Sequence, residues 1–412
     1  MRVYFETYGC TMNQGDSEAM MGALELEHEL VEDAGECDVA VINSCGVIEH
    51  TERKILKRVR IFKEMNKRVV MAGCLPAINP SAVEEAGVDE VVKRNPGSIL
   101  SAVQGIEELN QDEVLHAPRK RGSAVVAIVP IAEGCLGKCS YCATRIARGR
   151  LESSPINFVV DEVRHVLEQG FKEIQLTAQD TAIYGRDRGT SLPELLMKIR
   201  DIPSPSKFRV RVGMMNPKFA IEVLDDLCDA YDHENIYKFL HLPVQSGDDA
   251  VLEHMKRGYS VQDFIEIVNA FRRRFPELML ATDVIVGYPT EDEESFLMTY
   301  KLIEDVRPDV LNITRFSSRP GTLASKLKDM PDRYKKERSR KLTSLQTDIG
   351  LRINERLVGK ELEVLITEKG KNGTMKGRTN FYKTVVLESG NLGEFMTVRI
   401  KGATFSYLIA EA

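Results

Sequence analysis

A chain of 412 residues is too long for one ordinary domain, so two or three are expected. Its 43% hydrophobic and 29% charged residues form an ordinary soluble composition, and no apolar run approaches the ~18–20 residues of a membrane-spanning helix. The net charge of −6 argues against a nucleic-acid partner only if charge is spread evenly, and it is not.

In chain order, the first segment, MRVYFETYGC, reads as a strand with a charge inside it. It lacks the basic region, apolar stretch and small-residue cleavage site of a secretory signal, which predicts a cytoplasmic protein with reduced thiols. Eight cysteines in that setting point to metal binding or redox chemistry before disulfides. Strand-like segments at 1–8, 38–43, 67–72 and 88–92 alternate with helical patterns near 14–28, 50–66 and 96–108. This alternation predicts βαβ units and a doubly wound parallel sheet in an α/β N-terminal domain, residues 1–110. Segment 110–122, NQDEVLHAPRKRG, is polar and aperiodic and reads as a linker.

From 124 the alternation restarts, with strands expected at 124–131, 172–178, 207–213, 236–241, 278–287 and 309–315. Helical patterns such as 155–169 and 260–274 lie between them. Six β/α units fall short of the eight of a closed barrel, so residues 124–345 are expected to form an open, partial (β/α)6 barrel. Segment 333–356 reads as one basic helix, within a stretch (319–360) that holds 12 Lys/Arg against 5 Asp/Glu. A basic stretch on an acidic body suits phosphate, although a solvated amphipathic helix has the same composition. Short alternating strands at 361–367, 374–380, 383–388, 395–402 and 405–411 predict a small C-terminal all-β barrel over 350–412.

Two sets of three thiols stand out. Cys135, Cys139 and Cys142 are spaced C-x3-C-x2-C just beyond the first strand of the second domain. Thiolates suit iron–sulfur clusters and zinc, and a loop this short can wrap three corners of a cubane, leaving one iron open. Structural zinc would want a fourth Cys or His nearby, and the closest histidines, His116 and His165, lie outside the loop. Cys10, Cys45 and Cys74 are dispersed, each just after a predicted strand. In a parallel sheet those carboxyl ends share one ligand-binding edge, where three loops can gather three distant thiols. Three inert buried cysteines remain the alternative. Cys37 and Cys228 match no such pattern and read as core thiols.

The C-x3-C-x2-C loop at the mouth of a partial β/α barrel resembles the radical S-adenosylmethionine (radical SAM) superfamily. The contexts YGCTMN, NSCGV and AGCLP, followed by that loop and a terminal β-barrel, resemble the methylthiotransferases along essentially the whole chain. Segments 176–196, 211–217 (RVGMMNP), 240–259, 282–296 and 315–324 are similar to the branch acting on N6-threonylcarbamoyladenosine (t6A) beside the tRNA anticodon.

The resemblance implies two [4Fe–4S] clusters. The one on Cys135, Cys139 and Cys142 chelates SAM and cleaves it reductively to a 5′-deoxyadenosyl radical. The one on Cys10, Cys45 and Cys74 carries the sulfur that is methylated by another SAM and inserted at C2 of the adenosine. An electron donor such as a flavodoxin or ferredoxin, and a sulfur donor, are implied partners beside tRNA. Where the wider superfamily has Gly-Gly-Glu, Ala178-Gln179-Asp180 stands here, so Gln179 and Asp180 are expected to meet the SAM amino group. Gln245, after another strand, and Tyr141, adjoining the third thiol, complete the cofactor side. Arg148 and Arg150 are expected to pair with a carboxylate of SAM or of the threonyl group, as a bidentate guanidinium can. The tail resembles the TRAM RNA-binding module, with Lys369, Lys371, Lys376, Arg378 and Lys383 interleaved with Phe381 and Tyr382 for phosphates and bases. A ribosomal-protein methylthiotransferase and a non-catalytic zinc RNA-binding protein are the alternative readings.

Overall fold

The computed structural model describes residues 1–106 and 118–411. They form two compact units: Met1–Gly122 with Tyr141–Arg150 and Ser317–Lys326, and Ser123–Ser140 with Leu151–Phe316 and Leu327–Ala412. His116 and most of the expected linker lie outside the described residues.

The first unit is built on a five-stranded parallel sheet in the order β2-β1-β3-β4-β5. Its strands are β1 (Arg2–Thr7), β2 (Glu29–Val31), β3 (Val39–Ser44), β4 (Arg68–Gly73) and β5 (Glu90–Val91). The three-residue edge strand β2 is not among the expected strands; it is too short to carry an alternation. β3 is buried along its whole length, as a central parallel strand covered on both faces must be. Val39, Val41, Val70 and Ala72 meet α1 (Thr11–Glu25) and α3 (Pro96–Gln104) on one face. Ala40, Ile42, Val69 and Met71 meet Ile55, Val59 and Phe62 of α2 (Glu49–Glu64) on the other. Each such large aliphatic or aromatic burial stabilises by about 1.5–3 kcal/mol, so the two-faced pattern dictates a doubly wound sheet. Residues 118–122 run along α1: Lys120 donates its backbone N–H to Glu18 O (2.9 Å), and Arg121 pairs with the Glu18 carboxylate (2.9 Å).

In the second unit, six parallel strands form two three-stranded sheets, β10-β9-β6 and β11-β12-β13. These are β6 (Val126–Pro130), β9 (Glu173–Thr177), β10 (Arg209–Val212), β11 (Phe239–His241), β12 (Met279–Val286) and β13 (Val310–Arg315). One isolated bridge, Val210 to Ile236, joins the halves. The result is the open arc expected from six β/α units. A two-strand ribbon, β7 (Ala132–Glu133) with β8 (Glu152–Ser153), leads into the C-x3-C loop. Alternate residues Ile174, Leu176, Val210, Val212, Leu240, Leu280 and Val284 pack into the helix-covered core. The intervening residues, among them Gln175, Arg211, His241 and Asp283, face the other way and are partly exposed.

The C-terminal strands close into a barrel in the order β14-β15-β16-β18-β17. They are β14 (Glu361–Lys369), β15 (Met375–Thr379), β16 (Thr384–Leu387), β17 (Phe395–Ala403) and β18 (Leu408–Glu411). This barrel corrects one expectation. Phe381 lies in its core, Tyr382 packs on Tyr237 and Phe239 of the six-stranded body, and Lys383 pairs with Asp309 in a buried contact of 2.7 Å. The turn after β15, with Tyr382 at φ +68°, aims these three side chains inward. Lys369 and Lys371 are exposed. The basic helix spans Asp332–Glu355 and is likewise only partly a solvent surface. Lys335 donates to Phe316 O (2.9 Å), and Arg338 is buried against Glu291.

Candidate metal centres

The first unit brings the dispersed thiols to one edge of its sheet. Cys45 and Cys74 follow β3 and β4 directly, and Cys10 comes three residues after the end of β1, at the carboxyl edge of the sheet. Cys10 and Cys74 both direct Sγ at Asn13 Oδ1, at 4.0 and 3.9 Å. A Cβ on Gly9 (φ +119°) would stand 3.1 Å from Cys45 Cβ, so only glycine leaves room there. Asn13 is held in turn, its Nδ2 donating to Tyr8 O (2.8 Å) and Ser44 O (3.1 Å).

Burial raises the Cys45 and Cys74 thiols above their ordinary range, while the Arg148 guanidinium draws Cys74 back down. Arg148 is buried and donates to Asn13 Oδ1 (2.6 Å) and Asp16 Oδ2 (2.6 Å). Its carboxylate partner is thus Asp16 of its own chain. It stands on α4 (Thr144–Arg148), whose Ala147 packs with Ala143, Cys74 and Ile78. Cys142 lies just before that turn and is half-buried, as is Tyr141; Arg150 is exposed. Arg319 adds a buried pair with Glu52. Asn13 stands three residues from Cys10, whereas Arg319 is not foreseen by spacing and is brought towards Cys45 only by the fold.

In the second unit, Cys135 and Cys139 flank Gly137. A Cβ added there would lie 3.2 Å from one Sγ and 3.7 Å from the other. The Gly137 backbone N–H donates to Cys135 Sγ at 3.2 Å. Arg257, itself buried, donates Nη1 to Cys139 Sγ (3.2 Å) and Nε to Tyr259 Oη (3.1 Å). A cavity of about 670 Å³ opens beside Lys138, Cys139, Arg257 and Tyr259. At the far end of the loop, Ser140 is pinned by Tyr288 Oη (2.8 Å) and His254 O (3.0 Å).

Among the expected cofactor residues, Gln179 touches this loop directly. Gln179 Oε1 accepts from the Gly134 N–H at 2.6 Å and so fixes the residue before Cys135. Asp180 is buried: Oδ1 takes the N–H groups of Ala182 (3.1 Å) and Asn216 (3.0 Å), and Oδ2 has no hydrogen-bond partner among the described residues. Desolvation pushes its carboxyl up to about 6. Gln245 is buried at φ +72°, its backbone bonded to Asp283 O (2.8 Å) and Ile285 N (3.0 Å). Cys37 and Cys228 are buried core thiols, apart from both sets.

Soft thiolates with backbone and guanidinium donors around them, on loops that glycine keeps clear, suit an iron–sulfur cluster. With a six-stranded open β/α arc, they define a radical SAM enzyme. The residues match family models accordingly: the Radical SAM superfamily over 129–303, the uncharacterized protein family UPF0004 over 2–93 and the TRAM domain over 355–412. A probable threonylcarbamoyladenosine tRNA methylthiotransferase of Archaeoglobus fulgidus is 50% identical across all of this chain and 98% of its own. One of Pyrococcus abyssi is 45% identical across all of this chain and 99% of its own. The human threonylcarbamoyladenosine tRNA methylthiotransferase is 33% identical over 94% of this chain and 69% of its own. The chain belongs to this methylthiotransferase family. Among solved structures, the radical SAM methyltransferase TsrM of Kitasatospora setae matches in fold, with TM-score 0.57, 15% identity, and 91% and 80% of the two chains covered.

Proposed function

We propose that this protein converts t6A in tRNA to its 2-methylthio derivative. Cys135, Cys139 and Cys142 hold the SAM-binding [4Fe–4S] cluster, and Cys10, Cys45 and Cys74 hold a second one. The observation that carries the reading is the convergence of Cys10 and Cys74 on Asn13, with Cys45 against Gly9, in a chain that matches its relatives from end to end.

When bound, SAM and its cluster supply the radical that activates a C–H bond, and the second cluster supplies sulfur. The chain's own residues orient and insulate. Gln179 fixes the start of the C-x3-C loop and Ser140 its far side. Arg257 donates to Cys139 and Arg148 faces Cys74 and Asn13, so each site has a guanidinium to offset thiolate charge. We assign Gln245 and Tyr141 to the cofactor side, and the buried Asp180 Oδ2 as the acceptor for the SAM ammonium. Arg150, being exposed, is assigned to substrate. In labour the chain divides into 1–110 for sulfur, 124–345 for radical chemistry and 350–412 for RNA. The protein works in the cytoplasm, with a flavodoxin or ferredoxin as electron donor and a separate sulfur donor; among the described residues no helix is long and apolar enough to cross a membrane.

Anaerobically reconstituted protein should bind about eight irons. A Cys10/Cys45/Cys74→Ala triple variant should bind half as many and still cleave SAM. Equal iron in the two proteins would refute the second site.

A further inference from the structure

On β10, Arg209 and Arg211 project from the face opposite the helix-packed Val210 and Val212. Arg209 is neutralised by Glu363 (2.7 Å) and stacks on Phe395. Arg211, two residues further on, enters no ion pair among the described residues. Its guanidinium lies 5.1 Å from the Phe239 ring centre and 5.3 Å from that of Tyr382, and its Nε is buried without a hydrogen-bond partner. A guanidinium stacked this way keeps its N–H edge available for a planar anion.

The surroundings specify the anion further. Gln175 is the register partner of Arg211 on β9. Across the arc, Asp283 Oδ1 accepts from Asn312 Nδ2 (2.7 Å) and meets His241 Nε2 (3.0 Å). Tyr237, Phe239 and Tyr382 close the floor below, with Tyr382 Oη bonded to Glu173 (3.1 Å). The inner face of the arc therefore offers a cation with no ion pair among the described residues, an apolar floor bonded at its edge to the Glu173 carboxylate, and side chains able to accept and donate hydrogen bonds. That combination suits a small carboxylate group that also carries hydroxyl and amide functions.

The geometry points to Arg211 as the residue that reads the threonyl carboxylate of t6A, with Asp283, His241 and Asn312 addressing its hydroxyl and carbamoyl groups. This assignment rests on the substrate reading above. It makes the modification already present on the adenosine the feature that admits an RNA to the arc.

The test is binding of the reconstituted protein to three anticodon stem-loops, carrying t6A, the methyl ester of t6A, or plain adenosine, followed by fluorescence anisotropy. Wild type should prefer the free carboxylate over the ester by about 10- to 100-fold, the range of a charge-assisted bidentate contact. Arg211→Gln should bring that ratio close to one while keeping wild-type affinity for the plain adenosine loop, and Arg211→Lys should keep part of the preference. An undiminished preference in Arg211→Gln overturns the assignment. So does an equal loss for all three RNAs, which would make Arg211 only the seat of Tyr382. Mass spectrometry of the same t6A loop after turnover separates the two readings. If wild type leaves it unthiolated, the substrate reading has failed; if it thiolates it and Arg211→Gln still prefers the acid, only Arg211 has.

Discussion

Lys383 was expected to face RNA and instead sits in the interior, which makes Lys383→Met a sharp test. Lys383 Nζ lies 2.7 Å from Asp309 Oδ1, with side chains 5% and 7% exposed. Asp309 Oδ2 also accepts the Leu280 N–H at 2.9 Å, so the carboxylate fastens β12 as well. Methionine fills the volume but removes the charge, leaving a buried carboxylate with one donor. Breaking a buried pair from one side costs about 3–5 kcal/mol. Replacing both partners, as in Lys383→Met with Asp309→Asn, should recover much of that loss. The chain has no tryptophan, so urea unfolding of the second unit is best followed by circular dichroism or tyrosine fluorescence. RNA binding of Lys383→Met should keep the wild-type salt dependence, whereas a lost phosphate contact lowers the log–log slope by about one unit. Exposed Lys371→Ala should do the reverse: stability within about 0.5 kcal/mol of wild type and a shallower slope. A stable Lys383→Met with a shallower slope would refute the reasoning.

Three further outcomes follow from the sites. Arg257→Met removes an N–H donor 3.2 Å from Cys139 Sγ, a bond that favours the more negative, reduced cluster. At about 1.5–3 kcal/mol for a charge-assisted bond, and 59 mV per tenfold for one electron, the midpoint potential should fall by roughly 60–130 mV. An EPR-monitored titration showing no fall contradicts this. Asp180 has its carboxyl pushed from 3.8 up to about 6 by burial, so the folded state holds the proton longer and wild-type stability falls as pH rises between those values. Asp180→Asn keeps the Oδ1 acceptor and should gain on wild type over pH 4 to 6, reaching about 3 kcal/mol above it; a pH-independent difference in urea midpoints would be the contrary finding. Arg319→Met strands the buried Glu52, leaving it, among the described residues, the Asn79 amide at 2.7 Å, and should cost the first unit about 3–5 kcal/mol by thermal or urea unfolding. A loss under 1 kcal/mol would show that Glu52 is solvated.

What the sequence made legible was what local pattern carries. The doubly buried runs at β3 and β4 announce a parallel sheet, and six further strands fall within a few residues of their expected places. The thiols could be placed because each follows a strand end or sits in a short loop. Long-range partners could not be read. Arg257 is 118 residues from Cys139, and Arg148 is 135 from Asn13. Nothing in their spacing marks either as a thiol neighbour. The C-terminal segment misled for a related reason. Lysines alternating with aromatics look the same whether they face solvent or another sheet, and the positive φ at Tyr382 decides which. Residues 29–31 are too few to show any period.

The central claim is that two thiol sites together place a methylthio group on t6A. Its most direct test is mass spectrometry of nucleosides from t6A-bearing tRNA incubated anaerobically with reconstituted protein, SAM and a reductant. The 2-methylthio derivative should appear with wild type and be absent with the Cys10/Cys45/Cys74→Ala variant, although both consume SAM. Unchanged t6A with wild type, or thiolation of a ribosomal protein in its place, would contradict the account.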